Sequence, residues 1–185
     1  ILAAYGAVSF FLVAFFFKES LSVDNRLPIS PKSIISNYIG LLVDRSFIGF
    51  ALAGGFSMGS MFAFIASSST VLMETYGLGP QGFARSFAVI AFGLMIGSQL
   101  CGFLLRRGVT ALTLYRFAAY WVVAVLALGV VLSLSGVVNL FVFMAIMMAF
   151  TIGLGLINPT APVLALNKQG HRLGMASALA GATLF

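Results

Sequence analysis

Few side chains in this sequence could carry out chemistry, and none are grouped as a catalytic site requires. The four acids, Glu19, Asp24, Asp44 and Glu74, lie far apart, and the chain has one histidine and one cysteine. It shows no nucleophile–base pair, metal-ligand cluster or phosphate-binding glycine loop. We therefore predict that the protein is not an enzyme and uses neither a metal nor a cofactor.

The polar residues that stand out are uncharged and lie inside apolar segments: Gln99, Asn158 and Ser67. Neither amide can face lipid at low cost, so each must contact another helix or water. A bond between helices and contact with a solute fit the sequence equally well. Phe56 and Phe62 could add an aromatic wall for a lipophilic solute, with packing in the core or against lipid as the alternative. These five residues are the predicted substrate cavity.

The composition excludes a water-soluble domain. Hydrophobic residues make up 61% of the chain and charged residues 8%, whereas a soluble domain carries roughly a quarter charged residues. Uncharged apolar runs recur along the chain, and about 20 such residues cross a bilayer as a helix. The net charge of +6 is scattered between these runs, which argues against a nucleic-acid site. We predict an all-α fold, a polytopic transmembrane helical bundle.

The apolar runs predict six membrane segments. Residues 1–17 form the first, and the chain ends inside a truncated one that starts at residue 173. Between these lie four full spans, at about 47–73, 83–105, 112–134 and 137–166. Because the chain begins and stops inside apolar segments, we expect it to be part of a longer protein.

The basic residues are concentrated in alternate linkers. Four occur in 18–46, and Arg106, Arg107, Lys168 and Arg172 flank two further connections, whereas the linkers 74–82 and 133–139 hold none. The positive-inside rule places linkers rich in Lys and Arg in the cytoplasm. It predicts that residues 18–46, 106–111 and 167–172 are cytoplasmic and that the chain starts on the outer side.

The linker 18–46 is predicted to contain a short amphipathic helix. Ser30 can cap its start, with Pro31 at the first helical position. Apolar residues then recur on one face of a 3.6-residue period, at Ile34, Ile35, Tyr38, Ile39 and Leu42. We expect this helix to lie on the membrane surface or against the floor of the bundle.

Small residues recur at every fourth position in the second span, at Ala51, Gly55, Gly59, Ala63 and Ser67. Gly93 and Gly97 repeat this spacing in the third span. Lipid gives helices no hydrophobic reason to associate, so small residues that permit close backbone approach are predicted to mark packing faces. Smooth faces of this kind would also let helices slide during transport.

The segment GLGLINPTAPVLAL, residues 153–166, carries two prolines inside an uncharged run. Either the chain turns here or one long helix is deformed. A turn would place Lys168 and Arg172 on the side that has few basic residues, so we predict a single crossing. Pro159 and Pro162 each remove a backbone N–H. We predict that they form a bend that acts as a hinge.

Three stretches then suggest a family: LLVDRSFIGFALAGG, FAFIASSSTVLMETYGLGPQGFARSFAVIAFGLMIGSQL and GLGLINPTAPVLALNKQGHRLGMASALAGATLF. Together they resemble the Bcr/CflA-type multidrug resistance transporters of the major facilitator superfamily. The YGLGPQGF turn, the GSQL segment and the GMASAL helix start are the most specific parts. Where members of that family tend to have a Ser-Pro-Phe-like element in the seventh span, this chain reads SSSTVL.

The resemblance implies two six-helix bundles joined by a cytoplasmic loop. Residues 1–17 would be the last helix of the N-terminal bundle, 18–46 the central loop, and 47–185 most of the C-terminal bundle. The implied function is export of lipophilic or amphipathic drugs by proton antiport, by alternating access across the bacterial inner membrane. The implied partners are a drug-like solute, protons, the bilayer and the missing N-terminal bundle. A permease that imports a small metabolite and a non-transporting membrane scaffold remain alternatives.

Overall fold

The described residues form helices joined by short connections. The structure is a computed structural model that describes residues 2–16 and 30–184. Residues 17–29, which include the end of the first predicted segment and the first part of the predicted central loop 18–46, lie outside the described residues. The helices are α1 (Leu2–Phe16), α2 (Pro31–Val43), α3 (Arg45–Ser69), α4 (Pro80–Arg106), α5 (Ala111–Leu134), α6 (Leu140–Leu166) and α7 (Leu173–Ala182).

Four of these helices are long and apolar enough to cross a membrane. The four are α3 with its continuation to Thr75, α4, α5 and α6. Their ends differ from the predicted spans by at most three residues. The described part of the chain contains no strand. The prediction of an all-α, polytopic transmembrane fold is therefore confirmed, while the assignment of helices to two bundles stays a prediction.

Contacts divide the chain into two units, Ile1–Ile34 and Ile35–Phe185. In the first unit, the side chains described for α1 are exposed along the whole helix, and the rings of Phe11 and Phe15 stack with their centroids 6.2 Å apart. The second unit is a helical bundle. The features described below belong to this bundle.

Helix α6 lies at the centre of the bundle. Its buried residues run from Ile146 to Ala165, and α3, α4, α5 and α7 all pack against it. Trp121 Nε1 of α5 donates to the carbonyl of Ala149 at 2.8 Å, and Thr151 Oγ1 donates to the carbonyl of Ile90 in α4 at 2.7 Å. These side-chain bonds to backbone fix the register of both neighbouring helices.

The helices alternate in direction. Along α4 and α6 the contacts advance together, from Gly93 beside Thr151 to Gly97 beside Gly155, so these helices are parallel. Helix α3 runs the other way, because its start bonds to the residues that follow α6. The connections between α4 and α5 and between α5 and α6 are short. They contain Gly108 and Gly136, whose φ values of 88° and 71° lie in a region that glycine enters without steric cost.

We call the end of the bundle where α3 begins and α4 and α6 finish the basic end. It carries Arg45, Arg106, Arg107, Lys168 and Arg172. The opposite end, where α3 finishes near Glu74 and α6 begins, is called the far end. The predicted topology-setting charges Arg106, Arg107, Lys168 and Arg172 thus lie at one end of the bundle, and their cytoplasmic location stays a prediction.

Candidate solute-contact site

A hydrogen bond between two polar side chains joins α3 to α6 inside their apolar stretches. Ser57 Oγ donates to Asn158 Oδ1 at 3.0 Å, and Ser57 is buried while Asn158 is half-buried. Asn158 lies eight residues before Leu166, or about 12 Å at 1.5 Å per residue. Ser57 lies 12 residues after Arg45, or about 18 Å. The pair therefore lies within the membrane-spanning part of both helices.

Gln99 lies at a similar depth in α4, which packs against α6. An added Cβ on Gly97 would lie 3.0 Å from Gly155 Cα, and Gln99 and Asn158 follow these glycines by two and three residues. Gln99 is exposed, and it forms no hydrogen bond to any residue that the structure describes. The two predicted amides are thus brought to one level, but only Asn158 is held by a helix-to-helix bond.

The two predicted aromatic residues point away from the packed core. Phe56 is 76% exposed and Phe62 is 51% exposed. Packing in the core, one alternative for these side chains, is therefore absent within the described bundle. Phe64 is the ring that packs, stacked on Phe87 of α4 with centroids 6.0 Å apart.

Ser67 lines a cavity of about 310 Å³ between α3, α5 and α6. A second cavity of about 530 Å³ lies beside it and extends to the far end. Both are lined by Val71, Leu126, Phe143 and Met147. The neighbouring hydroxyl of Ser68 bonds within its own helix, where its Oγ donates to the carbonyl of Ile65 at 2.7 Å.

The SSST sequence leads into a wider turn that the sequence did not predict. Residues Thr70–Thr75 form a π-helical turn, and the N–H of Tyr76 donates to the carbonyl of Val71, five residues back, at 3.2 Å. Tyr76 then packs on Phe143 of α6, with ring centroids 5.6 Å apart. Single π turns inside helices are rare and often mark functional positions.

Pro159 and Pro162 lie inside a continuous α6, so this segment is one helix and not a turn. Pro159 is exposed, and Pro162 lines a cavity of about 190 Å³ together with Gly54 of α3 and Gly181 of α7. Thr160 Oγ1 donates to the carbonyl of Leu156 at 2.7 Å. The hinge role of the two prolines stays a prediction.

The predicted ridge of small residues packs only at its start. A Cβ on Gly55 would collide with the carbonyl of Thr183, whereas Gly59 is exposed and a Cβ there would meet no described atom within 4 Å. Within the described bundle these residues therefore do not form one continuous packing face on α3, and the packing role of Gly59 stays a prediction. Each four-residue step turns about 40° further than a full circle, because an α-helix has 3.6 residues per turn. Gly93 and Gly97, separated by one step, both face α6.

A polar network at the basic end was not predicted. Asp44 Oδ1 accepts hydrogen bonds from the N–H groups of Ser46 at 2.9 Å and Phe47 at 3.3 Å, which caps α3. Its Oδ2 accepts from Gln169 Nε2 at 2.7 Å. The bond from Gln169, followed by the backbone bonds, lowers the pKa of Asp44 below its ordinary 3.8. The position of Asp44 just before α3 could have indicated a helix cap. Its bond to Gln169, 125 residues further along the chain, could not be read from the local sequence.

Two relatives of known sequence match the chain over nearly its whole length. It is 32% identical to the uncharacterized MFS-type transporter YdgK of Bacillus subtilis over 98% of the chain. It is also 30% identical to the bicyclomycin resistance protein homolog of Haemophilus influenzae over 100% of the chain. These matches cover 44% and 46% of the relatives, so the chain spans about half their length.

No protein-family model matches the chain, and no solved structure matches it significantly. The two relatives match over the whole chain, and both the fold and the membrane-length helices agree with a multi-pass transporter. Transporters of this kind are not enzymes, as the sequence predicted. These matches support the resemblance to Bcr/CflA-type transporters of the major facilitator superfamily that the sequence suggested.

Proposed function

We propose that a transporter containing this chain exports lipophilic or amphipathic drugs across the bacterial inner membrane in exchange for protons. The supporting observation is the Ser57–Asn158 bond, a polar contact between two helices inside their apolar stretches. A relative is named a bicyclomycin resistance protein homolog, and this name favours export of a drug over import of a metabolite.

In this proposal the amide of Asn158 is the group that meets the solute. Its Oδ1 accepts the bond from Ser57, while an amide nitrogen carries two further donors. Asn158 is half-buried, so a solute that enters between α3 and α6 can compete for the bond. Gln99 at the same depth and the exposed rings of Phe56 and Phe62 would contact the apolar and polar parts of the same solute.

The proton is carried elsewhere in this proposal. The acids that the structure describes are Asp44, which caps α3 at the basic end, and Glu74, which is exposed at the far end. Neither lies in the middle of a span, where a proton-carrying acid is expected. We therefore place that acid in the part of the transporter that this chain does not contain.

The export proposal can be tested in a pump-deficient bacterial host that expresses the full-length transporter. Asn158→Ala removes the amide and should reduce drug resistance about 10-fold, the effect of losing roughly one hydrogen bond of 1.4 kcal/mol to the solute. Asn167→Ala is the matched control, because Asn167 is exposed just beyond the end of α6. Drug susceptibility and accumulation of a fluorescent cationic dye are the readouts.

The wild type provides the decisive comparison. If the host with the full-length protein shows unchanged dye accumulation and unchanged susceptibility to several drug classes, the export proposal is wrong. Uptake of a small metabolite in the same cells would then favour the permease. Equal activity of Asn158→Ala and Asn167→Ala would leave Asn158 as a structural residue and move the solute contact elsewhere.

The hinge role of the prolines is part of the same proposal. Proline at 159 removes the bond to the carbonyl of Gly155, and proline at 162 removes the bond to that of Asn158. Two unmade bonds on successive turns let the last part of α6 tilt while the rest stays packed. Pro162 also lines the small cavity between α3, α6 and α7, which gives this movement room.

Pro159→Ala should restore a helical bond and slow transport several-fold without reducing the amount of protein in the membrane. Pro80→Ala is the control, because Pro80 occupies the first turn of α4, where its missing N–H has no effect on the helix. Initial transport rates in membrane vesicles, normalised to protein content, measure the effect. A normal rate in Pro159→Ala would show that this proline is only structural.

A further inference from the structure

Helix α2 packs on the bundle through the side that holds Asn37, Gly40 and Leu41. Arg172 Nη1 donates to the carbonyl of Asn37 at 3.5 Å, and the same guanidinium lies against Gly40, where an added Cβ would be only 2.6 Å from Nη1. One residue beyond the helix, Asp44 holds Gln169, which is 2% exposed. Residues 37, 40 and 44 fall on one side of a helical period, and this side faces the turn after α6.

The predicted apolar face of α2 points the other way. Ile35, Ile39 and Leu42 are 59%, 55% and 51% exposed. The residue that does anchor α2 is Leu41, which is fully buried with Phe47 and Ala176 and was not part of the predicted face. The sequence left open whether the apolar face lies on the bundle or on the membrane. In the structure, more than half of the surface of each of these three side chains is not covered by the described bundle.

The position of α2 in the chain brings this face to the membrane boundary. Only Asp44 separates α2 from α3, and α3 is a membrane-spanning helix from Arg45 onward. Leu41 packs among residues of the first turns of α3 and α7. The apolar face of α2 is therefore held near the level at which α3 enters the bilayer. Helices with such a face lie in the interface with the apolar side about 5–10 Å deep.

The charges around this region select the kind of lipid. Arg45 and Lys168 are exposed beside the ends of α3 and α6, and Arg106 and Arg107 are exposed at the end of α4. Within residues 35–184, the only acid at this end is Asp44, whose carboxylate is already bonded to Gln169 and to the backbone of α3. The basic end thus presents uncompensated positive charge, which attracts anionic head groups.

We propose that α2 is a membrane-docking helix, held to the bundle through Asn37, Gly40 and Leu41 and seated through Ile35, Ile39 and Leu42 in a bilayer surface of acidic lipids. The inference rests on the membrane-spanning fold and not on the drug-export proposal. It assigns a partner, the acidic lipid head-group layer, to a face that the bundle leaves open.

Spin labelling of the full-length transporter can test this docking. A nitroxide is attached at Ile39→Cys in a background with Cys101→Ser and no other cysteine. The protein is placed in vesicles of phosphatidylcholine and phosphatidylglycerol at three to one. Collisions with oxygen should exceed those with a water-soluble nickel chelate at position 39. Ser36→Cys, exposed on the flank of the same helix, should show the reverse.

The lipid charge is tested by repeating the measurement in phosphatidylcholine alone. The oxygen-to-nickel ratio at position 39 should fall at least twofold, and Arg45→Gln with Lys168→Gln should remove this difference. Low access to both reagents at position 39 would mean that protein covers the face, either another part of the transporter or a second copy. High access to nickel would mean water. Each of these two results overturns the proposal. It is also overturned if positions 36 and 39 give equal ratios or if lipid charge has no effect. These outcomes do not depend on the transport assays.

Discussion

At the scale of single residues, the polar side chains that matter are those that the apolar surroundings force into partnership. The sequence singled out Asn158 because an amide cannot face lipid cheaply, and the structure gives it Ser57 as a partner. The same reasoning did not extend to Asp44 and Gln169, because they lie in linkers where water could satisfy them. Their bond forms only because the fold brings the two linkers together, and the sequence pattern does not predict this contact.

Asp44→Ala should destabilise the bundle because it removes the cap of α3 and leaves Gln169 buried without its acceptor. The expected loss is about 2 kcal/mol, from a helix cap of about 1 kcal/mol and a buried unsatisfied amide of similar cost. Glu74→Ala is the control, since Glu74 is exposed. Thermal unfolding in detergent can be followed through Cys101, which is 1% exposed in the folded bundle, with a thiol-reactive dye. Equal midpoints for both variants would contradict the prediction.

The pH dependence of this effect has a defined sign. The pKa of Asp44 is lowered in the folded chain, first by the bond from Gln169, so the folded state favours the carboxylate. The stabilisation is fully present above the ordinary value of 3.8 and is lost as the pH falls through the lowered folded value. The difference in midpoint between wild type and Asp44→Ala should therefore stay constant from neutral pH down to the ordinary pKa and decrease below it.

At the scale of helices, the sequence predicted where each span lies but not which face it buries. Glycine spacing indicated a close contact at Gly93 and Gly97, but the same four-residue step from Gly55 leads to Gly59, where a Cβ would meet no described atom within 4 Å. The π turn at Thr70–Thr75 was also missed. Tyr76, which follows this turn, packs against Phe143 of α6, and a long-range contact of this kind cannot be read from the local sequence.

The contact between α4 and α6 can be tested at one glycine with another as its control. Gly97→Val should prevent close packing, because even a Cβ there would collide with the carbonyl of Ile152. Overpacking of this kind costs about 1–3 kcal/mol. Gly102→Val on the same helix should be tolerated, since a Cβ there meets no described atom within 4 Å. The yield of folded protein in detergent, measured by fluorescence-detected size exclusion, should separate the two variants, and equal yields would argue against the close contact.

At the scale of the whole molecule, composition and charge were sufficient to predict the class of fold. Most residues of the central helix α6 are apolar, but hydrophobicity does not reveal its central position. Helices α5 and α6 have similar hydropathy, yet 6% of the most apolar stretch of α5 is buried in the bundle, against 39% of that of α6. In a membrane both buried and lipid-facing surfaces are apolar. The central place of α6 therefore had to come from the structure.

The orientation in the membrane is the remaining prediction at this scale. Arg45, Arg106, Arg107, Lys168 and Arg172 meet at one end of the bundle, and the alternation of helix directions seen in the structure makes the placement of any one of them decide the others. The positive-inside rule puts this basic end in the cytoplasm. The far-end connection between α5 and α6, which holds no charge, must then lie outside.

Single cysteines at two exposed positions can decide this orientation in intact cells, in full-length protein with Cys101→Ser and no other cysteine. Val137→Cys lies in the α5–α6 connection and should react with a membrane-impermeant maleimide added from outside, because its side chain is 61% exposed. Asn167→Cys, just beyond α6 at the basic end, should react only after the membrane is permeabilised. The reverse pattern would place the basic end outside and would make the charge rule wrong for this transporter. Reaction of both cysteines in intact cells would contradict the prediction that α6, which lies between them, crosses the membrane once.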